Sequence, residues 1–263
     1  MSDTDRGQVS ASAAEVYDGF FVPALFGQWT DVVLDVADVR SGHYVLDAGC
    51  GTGVLARAAH GRVGAHGHVA GLDPNDGMLA VARRAEPRIE WQTGPAEQMP
   101  YADHSFDRTV SQFALMYFTD PTAALREVRR VTRPNGRVAI AVWDRLDNNR
   151  GYARLAALID EIFGSDAAGA IRVPFHMGDP GMLAELATAA VSDPAITRHP
   201  GVARFQSLQE WVHTEIRGWT LADAIDDDGF ATLLDAAHDQ LSDLVEDGRV
   251  VFDVSALIVS GST

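Results

Sequence analysis

Residues 45–53 read Val45-Leu46-Asp47-Ala48-Gly49-Cys50-Gly51-Thr52-Gly53. Apolar residues broken by one acid run into a glycine-x-glycine-x-glycine turn, and Val54-Leu55-Ala56-Arg57-Ala58-Ala59 continues with a helical pattern. A strand that turns at once into a helix leaves backbone N–H groups pointing outward. Glycines there permit positive φ and remove the Cβ atoms that hold a ligand off the backbone. A ligand-free corner needs one glycine, so three alternating glycines predict that something lies against this loop. Asp47, two residues ahead of the first glycine, is placed to meet a cationic ammonium. A second strand candidate, His68-Val69-Ala70-Gly71-Leu72, ends in Asp73, about 20 residues beyond the loop, where an acid suits the two hydroxyls of a ribose. Taken without the loop, Asp73 reads equally as the N-cap of a helix from Asp76 to Arg84. The G-x-G-x-G spacing differs from the G-x-G-x-x-G of dinucleotide-binding turns.

Four stretches then follow one another in order over about residues 41–143: VLDAGCGTG, GLDPNDGMLAVARR, GPAEQMPYADHSFDRTVSQFALMYFTDP and LREVRRVTRPNGRVAIAVW. Together they resemble the class I S-adenosylmethionine-dependent methyltransferases, in the small-molecule, type 11 group that includes the quinone C-methyltransferases. The resemblance implies S-adenosyl-L-methionine as cofactor. Gly49, Gly51 and Gly53, with Thr52 inside the same turn, would flank its methionine part, and Asp73 would take the ribose. Pro74 and Met78 would lie near the adenine, Ala96 and Glu97 would border it, and Gln112 would stand at the end of the fourth strand. Tyr17, on N-terminal helices that fold over the cofactor in similar enzymes, is the lid contact expected from that segment. One departure stands out. Many members carry Asp where this chain has Pro95, so adenine recognition here is expected to rest on backbone groups and apolar walls.

The formal net charge is −16, from 37 acids against 21 bases, and such a field repels polyanions. Nucleic acid is therefore not expected as a partner, and Ser111-Gln112-Phe113-Ala114 is not the Asn/Asp-Pro-Pro-aromatic sequence of amino-methylating DNA enzymes. The arginines at 126, 129, 130 and 133, and those at 83 and 84, read as solvated helix faces. With 46% hydrophobic residues there is ample core material, yet no run approaches the ~18 apolar residues that cross a bilayer. No membrane partner is expected. The polar start MSDTDRGQVS is no signal peptide, so the reading is a cytoplasmic monomer or homodimer. Cys50 is the single cysteine, which removes disulfides, Cys-cluster metals and a thiol nucleophile from the options. His60, His66 and His68 read as surface residues, and no metal is expected.

Strand candidates fall at 44–48, 68–72, 88–92, 107–113 and 137–143, with helices at 53–60, 76–85 and 121–132 between them. Such alternation predicts an α/β fold: a doubly wound, Rossmann-like, seven-stranded sheet, mostly parallel with its last strand antiparallel. The predicted organisation is an N-terminal helical lid over 1–40, with two helices interrupted at Pro23, and a cofactor-binding core over 41–145. Substrate-side helices and the sixth strand (195–205) fill 146–205. A helical cap insertion occupies 206–248, with helical patterns at 207–216 and 229–246, and the final strand lies in 249–263.

Methyl transfer from a sulfonium is an in-line displacement during which charge disperses, so a dry pocket helps, and a base is needed only where the acceptor is protonated. His176 is the first candidate base and His213 the second, each near neutral pKa in the unperturbed state. Met116 and Tyr117 are expected to face the pocket, while Phe26 and Trp29 read as core. The predicted activity is methyl transfer to a small aromatic or apolar acceptor, with oxygen slightly favoured over nitrogen or carbon. Two other readings stay open: an NAD-type oxidoreductase, and a cofactor-binding scaffold without turnover.

Overall fold

The computed structural model describes residues 11–217 and 225–263, without the side chains of residues 11–13. The polar N-terminal stretch and the middle of the 206–248 insertion lie outside the described residues. Eight strands form one sheet: β1 (Tyr44–Ala48), β2 (His68–Asp73), β3 (Glu90–Thr93), β4 (Phe106–Gln112), β5 (Thr132–Trp143), β6 (Ala195–Phe205), β7 (Val245–Glu246) and β8 (Arg249–Ser262). Their order is β3-β2-β1-β4-β5-β8-β6, with β7 paired to β8 alone. Strands β1 to β5 run parallel, and β8 lies antiparallel between β5 and β6. The seven-stranded path is that of the sequence reading, and the short β7 is an addition to it.

Side-chain alternation decides the layers. Leu46, Ala48, Ala70, Leu72, Ile140 and Val142 face one core, while Val45, Val69, Val110, Ala139 and Ala141 face the other. The second core is closed by α2 (Thr30–Val36) and α3 (Val54–Val63) through Val33, Leu34, Leu55 and Ala59. The first is closed by α5 (Pro121–Val131) through Leu125, Val128 and Val131, and by α6 (Arg150–Phe163) through Leu155 and Ile159. Both faces of the parallel strands are thus covered, as parallel sheets require. At α5 the Asp120 side chain accepts the Ala123 N–H at 2.9 Å and Pro121 opens the first turn, an N-cap and N1 pair. The helix α4 (Asp76–Ala85) is capped instead by Asn75, whose side chain accepts the Met78 N–H at 3.1 Å, so Asp73 is not its cap.

Two local expectations are corrected. Pro23 does not divide the N-terminal segment: α1 (Ala11–Val16) runs into a π-helical stretch, Tyr17–Phe26, and a short turn leads on to α2. The wider i→i+5 spacing, seen in the Gly27 N–H bonded to the Val22 carbonyl, accommodates a residue that has no N–H to give. At the other end, the helix predicted over 229–246 stops earlier. It becomes α10 (Asp227–Gln240), and Val245–Glu246 folds back on Arg249–Val250 as a hairpin. Asp247 and Gly248 have φ of 49° and 80°, the two positive values of a type I′ turn, which an Asp-Gly pair supplies.

After β5 come α6, α7 (Ser165–Arg172) and α8 (Pro180–Ala187), then β6. Between β6 and β7 lie α9 (Leu208–Arg217) and α10, with α9 packed on β6 and β8, and α10 on α6 and α9. Among the described residues, no helix is long and apolar enough to cross a membrane.

Candidate active site

The corner between β1 and α3 is held from inside. The N–H groups of Gly49 and Cys50 both donate to the Leu72 carbonyl, at 2.8 and 3.0 Å, and that of Gly53 donates to Cys50 at 2.8 Å. The Gly51 N–H donates to Asp73 Oδ2 at 2.9 Å. Four of the five N–H groups from Gly49 to Gly53 are therefore committed within the protein, a correction to the outward-pointing cradle expected from the glycines. The glycines answer to packing as well as to any ligand. A Cβ on Gly49 (φ +75°) would sit 2.4 Å from that of Ala114, and one on Gly53 would sit 2.4 Å from the Trp91 ring. Only at Gly51 (φ +54°) would a Cβ meet nothing within 4 Å.

Asp47 is 1% exposed, and neither carboxylate oxygen has a hydrogen-bond partner among the described residues. Burial pushes its carboxyl up to about 8, with a weaker pull back from the Ala56 N–H, which lies near without completing a hydrogen bond, and a further push from the charge of Asp73. A buried carboxylate with no donor is strongly unfavourable unless something cationic or hydrogen-bonding arrives to meet it. Thr52 beside it is likewise buried, with an unpartnered Oγ1. Asp73 differs. Its oxygens accept the N–H of Gly51 and, at 2.8 Å, that of Asn75, and burial raises its carboxyl against the pull of those two bonds. It ties the glycine turn to the end of β2 while each oxygen keeps a second lone pair for a ligand.

Beyond the carboxyl ends of the parallel strands a cleft of about 140 Å³ is lined by Gly49, Leu72, Pro74, Pro95, Ala96, Glu97, Tyr117 and Phe118, among others. Ligands in doubly wound sheets bind at that edge. A larger hollow, about 250 Å³, lies between Arg137, Asp193 and Ser262 toward the opposite ends of the parallel strands and has none of these groups. Five of the sequence-predicted residues, Gly49, Pro74, Ala96, Glu97 and Tyr117, thus share the cleft. Glu97 Oε1 also accepts the Asp120 N–H at 3.1 Å, fixing the turn opposite. Met78 packs with Val81 and Ala14, under the N-terminal segment.

That segment closes over the corner. Tyr17 lies against Met78 and Val81. Its hydroxyl is raised far above the ordinary tyrosine value by burial first, then by the charges of Tyr117, Asp73, Asp18 and Asp47. Asp18 pairs with Arg57 of α3 at 3.2 Å, and Glu15 with Arg84 of α4 at 2.7 Å. Gln112 donates from Nε2 to the Phe26 carbonyl at 3.2 Å, leaving its buried Oε1 unpartnered.

Sequence reasoning missed the aromatic wall behind Gln112. Phe113 has φ +54°, a strained value for a bulky residue, at a cost of about 1–3 kcal/mol. Its ring stacks on Trp143 at 4.1 Å and meets Phe26 at 5.5 Å and Trp29 at 5.8 Å. Three such contacts at roughly 0.5–1.5 kcal/mol each offset the strain. No local signal announces it, since the sequence Gln112-Phe113-Ala114 is unremarkable for a strand end. Nor did sequence single out Glu215 of α9, which is 6% exposed and accepts from Tyr152 Oη at 2.9 Å and Trp211 Nε1 at 3.3 Å. A signal did exist there: an acid four residues after Trp211 on the apolar stripe of a helix.

The two histidines proposed as bases are not brought into the cleft. His176 is exposed, with Nδ1 2.6 Å from the Val173 carbonyl. His213 is exposed, its ring edge-on to Phe230. Each lies on the outward side of a segment whose apolar residues, Phe175 and Met177, or Trp211 and Val212, turn inward in its place.

Asp73→Ala is expected to weaken binding of S-adenosylhomocysteine by about 1–3 kcal/mol, through lost charge-assisted hydrogen bonds. It should also lower the melting temperature, because the Gly51 and Asn75 N–H groups lose their acceptor. Calorimetric titration and thermal unfolding of the same variant read the two effects, and unchanged affinity in the folded variant refutes the ribose role.

Comparison with known proteins bears on the same segment. Residues 46–140 match the family described as methyltransferase domain. A demethylmenaquinone methyltransferase of Paenarthrobacter aurescens is 39% identical over 114 residues, 43% of this chain and 44% of that protein. A 2-phytyl-1,4-naphtoquinone methyltransferase of Thermosynechococcus vestitus is 37% identical over 133 residues, 48% of this chain and 59% of that one. The chain thus spans about half the length of these curated relatives. The YcgJ protein of Bacillus subtilis shares the fold at a TM-score of 0.60 and 23% identity, over 90% of this chain and 98% of its own. So does a phosphoethanolamine N-methyltransferase of Haemonchus contortus, at a TM-score of 0.60 and 16% identity over 98% of this chain and 58% of its own. The segment that builds the glycine corner and its flanking strands, residues 46–140, is thus the part of the chain that matches the methyltransferase domain family.

Proposed function

We propose that the protein is an S-adenosylmethionine-dependent methyltransferase acting on a small, flat aromatic acceptor, with oxygen favoured as the receiving atom. The observation that carries the cofactor assignment is Asp47, a buried carboxylate without a partner beside a glycine turn whose N–H groups are mostly spent. A diphosphate needs free N–H donors and repels carboxylates, so this corner disfavours a dinucleotide. An α-ammonium is what an orphaned carboxylate accepts. Asp73 suits the ribose through its remaining lone pairs, and Pro74, Ala96 and Glu97 border the space for a flat base. When bound, the cofactor supplies a methyl group already activated by positive sulfur.

The chain's own residues supply the rest. Tyr17 and the 11–29 segment exclude water from the corner, which strengthens every charge interaction inside it. Phe26, Phe113, Trp143 and Phe175 form a buried aromatic cluster beside the corner, and a flat aromatic acceptor is the kind of molecule such rings would pack against. The two curated relatives are named as methyltransferases of quinone compounds, and the reduced, hydroxylated form of such a ring is the acceptor proposed here. We assign 1–40 as lid, 41–145 as cofactor core, and 146–205 with 206–248 as acceptor side and cap, before the closing strand in 249–263. The site as assigned involves neither nucleic acid nor membrane, and the chain works in the cytoplasm as a monomer or homodimer.

Calorimetric titration tests the cofactor: S-adenosylhomocysteine is expected to bind and nicotinamide dinucleotide is not, and the reverse result overturns the assignment. Incubation with S-adenosylmethionine and 1,4-naphthohydroquinone, with mass and proton NMR analysis of the product, tests the acceptor class and the atom methylated.

A further inference from the structure

Glu215 stands where a buried acid has no structural excuse. The helix α9 belongs to the insertion after β6, and its inner face carries Leu208, Trp211, Val212, Glu215 and Ile216. No cation pairs with Glu215 among the described residues. Arg217, on the same helix, turns away to Asp227, the Ile225 carbonyl and the ring of Phe230, and His213 meets Phe230. The strands β6 and β8 present Phe205 and Phe252 to Trp211, at 5.7 and 4.9 Å. The polar groups that meet the carboxylate are Tyr152 Oη from α6 and Trp211 Nε1, both on Oε1. Burial alone pushes the Glu215 carboxyl up to about 7, against the pull of those two bonds.

Its position relative to the cleft is what matters. Tyr117 lines the cleft beside Gly49 with 41% of its surface exposed, and its hydroxyl end is raised by burial first and by the charge of Glu215 second. The Tyr152 ring lies 5.5 Å from Phe175, which is 6.0 Å from Trp143, which stacks on Phe113 at the end of β4. A continuous aromatic wall thus joins the corner to the Tyr152–Glu215 pair, on the side proposed for the acceptor.

We propose that Glu215 is the proton acceptor of the acceptor site, taking the proton of an aromatic hydroxyl through the hydroxyl of Tyr152. This rests on the methyl-transfer reading above. The acceptor O–H bond breaks and its proton passes to Tyr152 Oη, while the proton of Tyr152 passes to Glu215 Oε1. The acceptor keeps the electron pair as an oxyanion, which forms the new bond to the methyl carbon as the carbon–sulfur pair returns to sulfur. Glu215, now a neutral acid, releases its proton to solvent. Tyr152 is raised well above the ordinary tyrosine value by burial and by Glu215, so it is protonated before and after the relay. Below about pH 7 Glu215 already holds a proton and cannot accept one, so the rate must fall on the acid side.

Three measurements on the whole chain test the pair. In protein labelled with carbon-13 at the glutamate carboxyl, one resonance, absent in Glu215→Gln, is expected to titrate near pH 7. A Glu215 midpoint in the ordinary carboxylate range overturns the proposal. With S-adenosylmethionine and 1,4-naphthohydroquinone, the wild type should show an acid limb near pH 7. Glu215→Gln and Tyr152→Phe should each lose about 10²-fold in turnover and lose that limb, with Glu215→Asp restoring part of both. Affinity for S-adenosylhomocysteine should stay within about twofold in all variants, which reports an intact fold. A Glu215→Gln protein that keeps rate and limb overturns the relay, as does a wild type that binds S-adenosylhomocysteine yet leaves the probe unmethylated at every pH. A wild type that does not bind S-adenosylhomocysteine overturns the cofactor reading instead.

Discussion

Asp47→Asn is expected to weaken S-adenosylhomocysteine binding by about 10²-fold while making the free protein more stable. Both effects follow from one orphaned carboxylate. In the free protein Asp47 is buried without a donor and its carboxyl stands at about 8, so at pH 7 it is mostly protonated. An arriving ammonium lowers it again by direct charge attraction, and the carboxylate must shed its proton to pair. Binding to the wild type at pH 7 should therefore release close to one proton, seen as a dependence of the calorimetric heat on the ionisation enthalpy of the buffer. The Asn variant should show none from this site. A charge-assisted pair of this kind contributes about 1.5–3 kcal/mol, which sets the loss of affinity. For stability the sign is the opposite. The folded value lies above the unfolded value of 3.8, so the folded state holds the extra proton between the two. The contribution of this group is fully present below about pH 4 and is lost as pH rises toward 8. Asn removes that slope, and the melting temperature of the free variant should exceed that of the wild type most clearly at pH 8. Equal affinity and an unchanged proton count in Asp47→Asn would refute the ammonium role.

That a carboxylate stands two residues before a glycine turn at a strand–helix corner was legible from sequence, because the turn chemistry is local. The strand–helix alternation from Tyr44 to Trp143 was legible for the same reason: period-two and period-3.6 patterns are written within each element. What stayed hidden depends on partners far along the chain. The N–H groups of Gly49 and Cys50 bind the Leu72 carbonyl, more than 20 residues away, so an apparently open cradle proved occupied. Phe113 holds a left-handed backbone conformation only because Trp29, Phe26 and Trp143 surround its ring, and nothing in its own neighbourhood encodes that. His176 and His213 were chosen by residue type, whereas helix phase turns them outward and turns Glu215 in. The Asp247-Gly248 turn was readable and was overridden by the apolar spacing of the preceding helix, which ends before it. Type and spacing thus located the strand–helix corner, while the burial of Glu215 and the exposure of the two histidines depend on which face of each segment tertiary packing selects.

Alanine at Gly49 and at Gly51 should separate the two jobs of the glycine corner. At Gly49, φ is +75° and a new Cβ would lie 2.4 Å from the Cβ of Ala114 and 3.2 Å from the Phe118 ring. The conformation costs roughly 1–2 kcal/mol for a residue with a Cβ. The collision adds roughly 1–3 kcal/mol, because Ala114 has no flexible end to move aside. Together that is a large part of a total stability of about 5–15 kcal/mol. At roughly 2–4 °C per kcal/mol for a domain of this size, Gly49→Ala should lower the melting temperature by about 10 °C. At Gly51, φ is +54° and a Cβ would meet no atom within 4 Å, so only the conformational cost remains and the melting temperature should fall by a few degrees. The added methyl group instead projects into open space from a turn whose N–H is held by the Asp73 carboxylate. Gly51→Ala should therefore keep its fold and lose at least about tenfold in S-adenosylhomocysteine affinity, a loss of about 1.4 kcal/mol. Thermal unfolding and calorimetric titration of the two variants side by side make the comparison. If Gly51→Ala binds as the wild type does, the open face of the turn is not where the ligand lies, and the corner's glycines serve only the packing of Ala114 and Trp91.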